Sequence, residues 1–128
     1  RLSVATALVL HPHLLILDEP TFGQDRRTTA LIMARLRDLV RRGGTVVVIT
    51  HDLRLVAEEA SVAGVLVAGR VAFTGPVAEL LSSAPLLQQA GLVPPPLVRL
   101  GRRLAEQRDG LPLLSTIEHY LAALGAER

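Results

Sequence analysis

Two apolar runs, Leu14-Leu15-Ile16-Leu17 and Thr45-Val46-Val47-Val48-Ile49-Thr50, constrain the fold of this chain more than any other feature. Neither alternates apolar with polar residues, as a strand with one wet face does, so each suits a strand covered on both faces. A helical pattern follows each run. After the first, Pro20, Thr21 and Gly23 mark a loop and Asp25 is placed to cap a helix. Leu31, Ile32, Leu36, Leu39 and Val40 make the apolar stripe of that helix until Gly43-Gly44 ends it. After the second run, Leu53, Val56, Ala57 and Ala60 fall on one side of a short helix. Two strand-helix units in succession require a right-handed parallel crossover, which puts the chain in the α/β class.

Farther along, the segments 62–67 and 70–74 flank Ala68-Gly69 and predict a hairpin, and Gly75-Pro76 opens a short helix toward Leu81. From Ser82 onward, Pro85, Gly91, Pro94-Pro95-Pro96, Gly101, Gly110 and Pro112 cut the chain into short helical pieces. The expected organisation is therefore an α/β part over 1–81 and a small appended helical region over 82–128. Ser115 and Glu118 form a capping box for a last helix carrying Ile117, Tyr120, Leu121 and Leu124. At the other end, Leu2, Ala5, Leu8 and Val9 have helical spacing with no capping residue ahead of them, so the chain is expected to begin inside a helix.

Composition removes several functional classes. Phe22, Phe73 and Tyr120 are the only aromatic residues, too few for a base-stacking platform, and a net charge of +2 gives no polyanion-binding field. Without cysteine there is neither a disulfide framework nor a thiolate metal site. No stretch approaches the roughly 20 consecutive apolar residues that span a bilayer, so membrane association is expected to go through a partner.

The chemistry starts at Asp18-Glu19, two adjacent acids at the carboxyl end of the first strand, the edge where open α/β sheets bind ligands. Two acids there suit phosphoryl transfer: the first can hold a magnesium ion that bridges the phosphates, and the second can orient and polarise the attacking water. Taken alone, the pair would serve equally well to end a strand and begin a turn. Thirty-two residues after Glu19, however, the second run ends in Thr50-His51-Asp52 and brings an imidazole to the same sheet edge. The pairing, and not either motif by itself, points to a site.

Leu14-Leu15-Ile16-Leu17-Asp18-Glu19-Pro20-Thr21, then Gly23-Gln24-Asp25, then Val47-Val48-Ile49-Thr50-His51-Asp52 resemble, in order and spacing, the Walker B, D-loop and H-loop motifs of ABC ATPases. The resemblance implies a partial P-loop NTPase fold. It implies Asp18 as the magnesium-associated acid, Glu19 as the catalytic base or water-positioning carboxylate, Asp25 as the D-loop aspartate at the nucleotide, and His51 as the switch histidine. Arg1-Leu2-Ser3-Val4-Ala5 is similar to the helix that follows the family's Leu-Ser-Gly-Gly-Gln signature.

The form Asp18-Glu19-Pro20-Thr21-Phe22-Gly23-Gln24-Asp25 is similar to that of energy-coupling-factor transporters, uptake systems for vitamins and for cobalt or nickel ions. Pro94-Pro95-Pro96-Leu97-Val98-Arg99-Leu100 and Leu113-Leu114-Ser115-Thr116-Ile117-Glu118 resemble the C-terminal helical extension that helps pair two such subunits. His119 stands where that family often has a second glutamate. The cofactors implied are ATP and Mg2+. The partners implied are a second ATPase subunit, in a homo- or heterodimer, and a transmembrane transporter component, with no nucleic acid. The implied location is the cytoplasmic face of the cell membrane, held there by the membrane partner.

The 128 residues contain no Gly-x-x-x-x-Gly-Lys-[Ser/Thr] loop, and all fourteen basic residues are arginine. The Q-loop and the signature are likewise not among them, and Gln24 belongs to the D-loop-like segment. Gly43-Gly44 follows a helix and precedes a strand, the reverse of a phosphate loop, and reads as a helix C-cap. His11-Pro12-His13 lacks a third ligand and reads as a loop. Arg99, Arg102 and Arg103 share a helix face, which fits a solvated surface or one turned to lipid headgroups or a partner's acids.

The expected function is an ATP-hydrolysing subunit of an energy-coupling-factor-like importer, with this chain carrying its hydrolytic half and inactive alone. The alternative is a non-catalytic pairing or regulatory module in which the acids and the histidine are inherited but unused. A DNA-repair or chromosome-organising ATPase would add long coiled coils, and the chain has no sustained heptads.

Overall fold

The computed structural model describes the backbone of residues 12–107 and the side chains through Leu104. The helix expected over 1–10, the capping box of Ser115 and Glu118 with the helix after it, and His119 lie outside the described residues. The chain divides after His51 into two compact units.

In the first unit, β1 (Leu14–Asp18) pairs in parallel with β2 (Thr45–Ile49), in a register running from Leu14 opposite Thr45 to Asp18 opposite Ile49. Two further hydrogen bonds extend the ladder, Thr45 N–H to His13 O at 2.8 Å and Glu19 N–H to Ile49 O at 2.9 Å. The crossover helix is α1 (Arg26–Arg41), which starts where Asp25 accepts the Thr28 backbone N–H at 2.7 Å. It stops in a Schellman motif: Gly44 N–H bonds Leu39 O, Gly43 N–H bonds Val40 O, and Gly43 takes φ 90, a conformation that only glycine adopts cheaply. Gly43-Gly44 is thus a helix stop, as its place in the sequence implies.

Of the two covered faces expected for this sheet, the described residues cover one. Leu15 is buried, as are Met33, Leu36 and Leu39 of α1, whereas Leu14 and Ile16 are 55% and 58% exposed, and Val47 and Ile49 are 43% and 52% exposed. Register puts these four exposed residues on one face. A continuous apolar run tells what a strand is suited to, but cover must come from other segments, and among the described residues one face of each strand lacks it. The helix stripe also shifts: it centres on Met33, Leu36 and Leu39, with Leu31 and Val40 exposed.

The second unit begins with α2 (Leu53–Glu59), capped by Asp52, whose carboxylate accepts the N–H groups of Arg54 at 2.9 Å and Leu55 at 3.2 Å. The predicted hairpin is present, with β3 (Val62–Val67) antiparallel to β4 (Arg70–Pro76). Its two-residue turn has φ 49 at Ala68 and φ 74 at Gly69, the positive pair that a type I′ turn demands. The register steps from Val65 opposite Phe73 to Leu66 opposite Val71, leaving Ala72 as a bulge. Gly75 and Pro76 complete β4, and Pro76 is at the same time the N-cap of α3 (Val77–Ser82), so the pair opens the helix toward Leu81 as the sequence predicts. Then come α4 (Ala84–Gln89), capped by Ser83, and α5 (Pro96–Gln107), entered through a proline as helix starts allow.

These elements share one core of Leu53, Val65, Val77, Leu80, Leu81, Leu87 and Val98. Leu87 and Val98, from the region expected as an appendage, are 1% and 0% exposed in it. The arginine face of α5 is split by the same packing. Arg102 Nε donates to Leu81 O at 3.1 Å, and its Nη2 donates to the same carbonyl, tying α5 to the last turn of α3, while Arg99 and Arg103 stay exposed.

Candidate active site

The candidate site lies at the carboxyl ends of β1 and β2, entirely within the first unit. In a regular strand Asp18 and Glu19 would point to opposite faces. Instead the strand ends at Asp18 and Glu19 turns to φ 44, a left-handed conformation costing a non-glycine residue on the order of 1–2 kcal/mol. The turn keeps Asp18 exposed in the strand, on the face of Ile16 and Ile49, and sends the Glu19 side chain to the end of β2. Such strain persists where the surroundings hold it, and Glu19 is held by its own N–H on Ile49 O and by its carboxylate.

Both carboxylate oxygens of Glu19 are engaged. Thr50 Oγ1 donates to Oε2 at 3.0 Å, and His51 contacts Oε1 twice, through its backbone N–H at 3.2 Å and its Nδ1 at 2.6 Å. The bond to the His51 ring lowers the Glu19 pKa most, and the Thr50 hydroxyl and His51 N–H act in the same direction, against a partial opposing effect of burial. Glu19 is therefore held ionised, an acceptor that can orient a water and is unsuited to donating a proton, though the same contacts make it a weaker base. An ionised carboxylate at 2.6 Å requires the proton on Nδ1, so a neutral His51 ring carries its acceptor lone pair on Nε2.

The structure thus brings Glu19 and His51 into contact and sets Asp18 beside them on a different heading. Asp25 does not join them. Its Oδ1 accepts Thr28 N–H and its Oδ2 accepts Thr28 Oγ1 at 3.1 Å, so its carboxylate fixes the exit of the loop into α1. The loop itself is two tight turns, Phe22 N–H to Glu19 O and Gln24 N–H to Thr21 O, with Gly23 at φ 67. Sequence reasoning missed Thr50, reading it only as the end of a strand run; a hydroxyl beside a candidate histidine was the signal available.

For a magnesium ion the donors fit in one respect. Asp18 offers a hard, exposed carboxylate, and Mg2+ is ordinarily held by one or two carboxylates with water and phosphate oxygens completing its shell. Among the described residues no group of three or more His, Asp or Glu could cage a metal by itself. The residues suit a metal shared with a phosphate ligand and do not suit an all-protein site.

No family model matches the chain. It is 43% identical over 126 residues to a putative ABC transporter ATP-binding protein of Methanosarcina mazei, matching 98% of this chain and 21% of that protein. It is 32% identical over 125 residues to the energy-coupling factor transporter ATP-binding protein EcfA2 of Streptococcus agalactiae, matching 97% of this chain and 45% of that protein. Among solved structures it resembles cbiO1 from Clostridium perfringens, described as part of the ABC transporter complex cbiONQ. The TM-score is 0.56 at 31% identity, over 80% of this chain and 40% of that one. The chain thus spans less than half the length of these relatives.

Proposed function

We propose, of a chain homologous over nearly its whole length to a segment of ABC transporter ATP-binding proteins, that it carries the hydrolytic half of an ATP site in an energy-coupling-factor-like importer. The observation that carries the reading is the ionised Glu19 carboxylate, held at the ligand edge of a parallel sheet by Thr50 and His51 with Asp18 one residue away. In this reading Asp18 would hold Mg2+, which when bound neutralises charge on the phosphates. Glu19 orients the attacking water and draws its proton toward a carboxylate oxygen. His51 bonds Glu19 through Nδ1–H before the water enters, and its ring then serves the reacting phosphate, as acceptor when neutral and as donor when protonated. Asp25 acts at the nucleotide through the loop whose exit it fixes.

The partners in this reading are a second ATPase subunit and a transmembrane component, with the helical region over 82–128 contributing to pairing. Among the described residues no helix is long and apolar enough to cross a membrane.

The reading makes a sharp demand on the 128 residues alone. They contain no phosphate-binding loop and no lysine, so the backbone nest and ammonium that hold the β- and γ-phosphates must come from elsewhere. Calorimetric titration of the 128-residue chain with Mg-ATP is expected to give no measurable binding, and phosphate release should not exceed the buffer blank. A micromolar dissociation constant would mean that the chain holds phosphates in a way this proposal does not contain.

A further inference from the structure

The contacts on Glu19 differ in kind. Two come from groups whose positions are fixed at or next to the β2 main chain: the Thr50 hydroxyl, one bond from a β-branched Cβ, and the His51 backbone N–H. The third comes from a ring whose side chain is 75% exposed, against 34% for Glu19, and which sits at the end of two rotatable side-chain bonds. The ring Nδ1 at 2.6 Å and the His51 N–H at 3.2 Å both lie on Oε1, so a water donating to that oxygen competes with the ring for it.

From this we infer that Thr50 is the positioning residue for Glu19, holding the carboxylate in place through Oε2 so that the His51 ring can swing off Oε1 without carrying Glu19 with it. The inference rests on the hydrolytic reading of Glu19 for its purpose, but its geometry stands apart from turnover. Without the Thr50 bond, the fixed contact left on the Glu19 carboxylate would be the longer His51 N–H bond at 3.2 Å, on the same oxygen as the ring that must leave to admit water. With it, departure of the ring exposes one oxygen, and the other stays anchored. The left-handed backbone at Glu19 makes this anchor more necessary, because a strained residue relaxes when its side chain is released.

The test uses solution NMR on the 128-residue chain and reads no activity. In the wild type, side-chain couplings should report a single Glu19 rotamer, and the His51 amide should be shifted and protected by its bond to the carboxylate. Thr50→Val keeps the shape of the side chain and removes the donor. It should leave Glu19 averaging over rotamers and speed exchange of the His51 amide about tenfold, with the Val47 amide inside the ladder unchanged. Thr50→Ser should restore the wild-type pattern, and His51→Ala should leave Glu19 in its single rotamer.

A single Glu19 rotamer in Thr50→Val would overturn the inference, as would His51→Ala freeing Glu19 to the same extent. If Thr50→Val also loosened the ladder at Val47, Thr50→Ser and His51→Ala would still decide, because both retain or remove one contact without touching the strands. Loss of the proposed hydrolytic role, read separately as turnover that survives without the Glu19 carboxylate, would leave these NMR outcomes as they are.

Discussion

In a nucleotide-competent protein containing these 128 residues, Glu19→Gln should lower the rate of ATP hydrolysis by at least about a hundredfold and leave ATP affinity within a few-fold of the wild type. Glutamine has the shape of glutamate and can still receive the Thr50 hydroxyl, so the pose at the end of β1 is kept. What it loses is the ionised oxygen, the feature that the His51 ring, the Thr50 hydroxyl and the His51 N–H all favour. Its amide nitrogen would also meet Nδ1–H of His51 as donor against donor, forcing either a flip of the amide or the other imidazole tautomer. Single-turnover kinetics separate binding from chemistry. Turnover within a factor of a few of the wild type would remove Glu19 from the chemical step and favour a non-catalytic role.

The second large effect is expected in the other unit. Val98→Asp should destabilise it by about 3 kcal/mol or more, because the side chain is 0% exposed in an apolar cluster and a carboxylate placed there loses its hydration. Ending the chain after Val93 should be at least as damaging, since it takes away Val98 and the Arg102 bonds to Leu81 O, and opens Leu81 and Leu87 to water. Urea unfolding followed by amide signals of the β3–β4 hairpin measures this. An unchanged midpoint for Val98→Asp would mean that α5 leaves the cluster at little cost and is free to serve a second subunit instead.

That outcome bears on how much of the molecule could be read from its residues. The strands, the crossover helix, the Asp25 cap, the Gly43-Gly44 stop and the hairpin turn are encoded locally, and local physics is what a sequence displays most directly. Glu19 and His51 were legible for a related reason. Two apolar runs of similar length, each ending in polar residues, must end at the same edge of a parallel sheet. What could not be read is what lies against what. The exposed Leu14, Ile16, Val47 and Ile49 have the composition of buried residues, and nothing in a run of valines states whether its second face is covered. The breaks at Pro85, Gly91 and Pro94 suggested a small appended helical region, and such breaks mark where helices turn but are silent on what their apolar faces meet, which for Leu87 and Val98 is the core of the second unit. Thr50 was missed for want of one backbone angle, the left-handed turn at Glu19 that brings the carboxylate within its reach.

The same angle sets two kinds of laboratory selection against each other. A library of this chain screened only for resistance to heat would sample residues at position 19 that tolerate a positive φ, with glycine and asparagine foremost, because they relieve a backbone cost that glutamate bears. A screen that demanded turnover would hold glutamate there and find its stabilising changes elsewhere. Position 19 is therefore one to fix before any such campaign begins, because a heat-only winner there would be gained at the expense of the one carboxylate the site is arranged around.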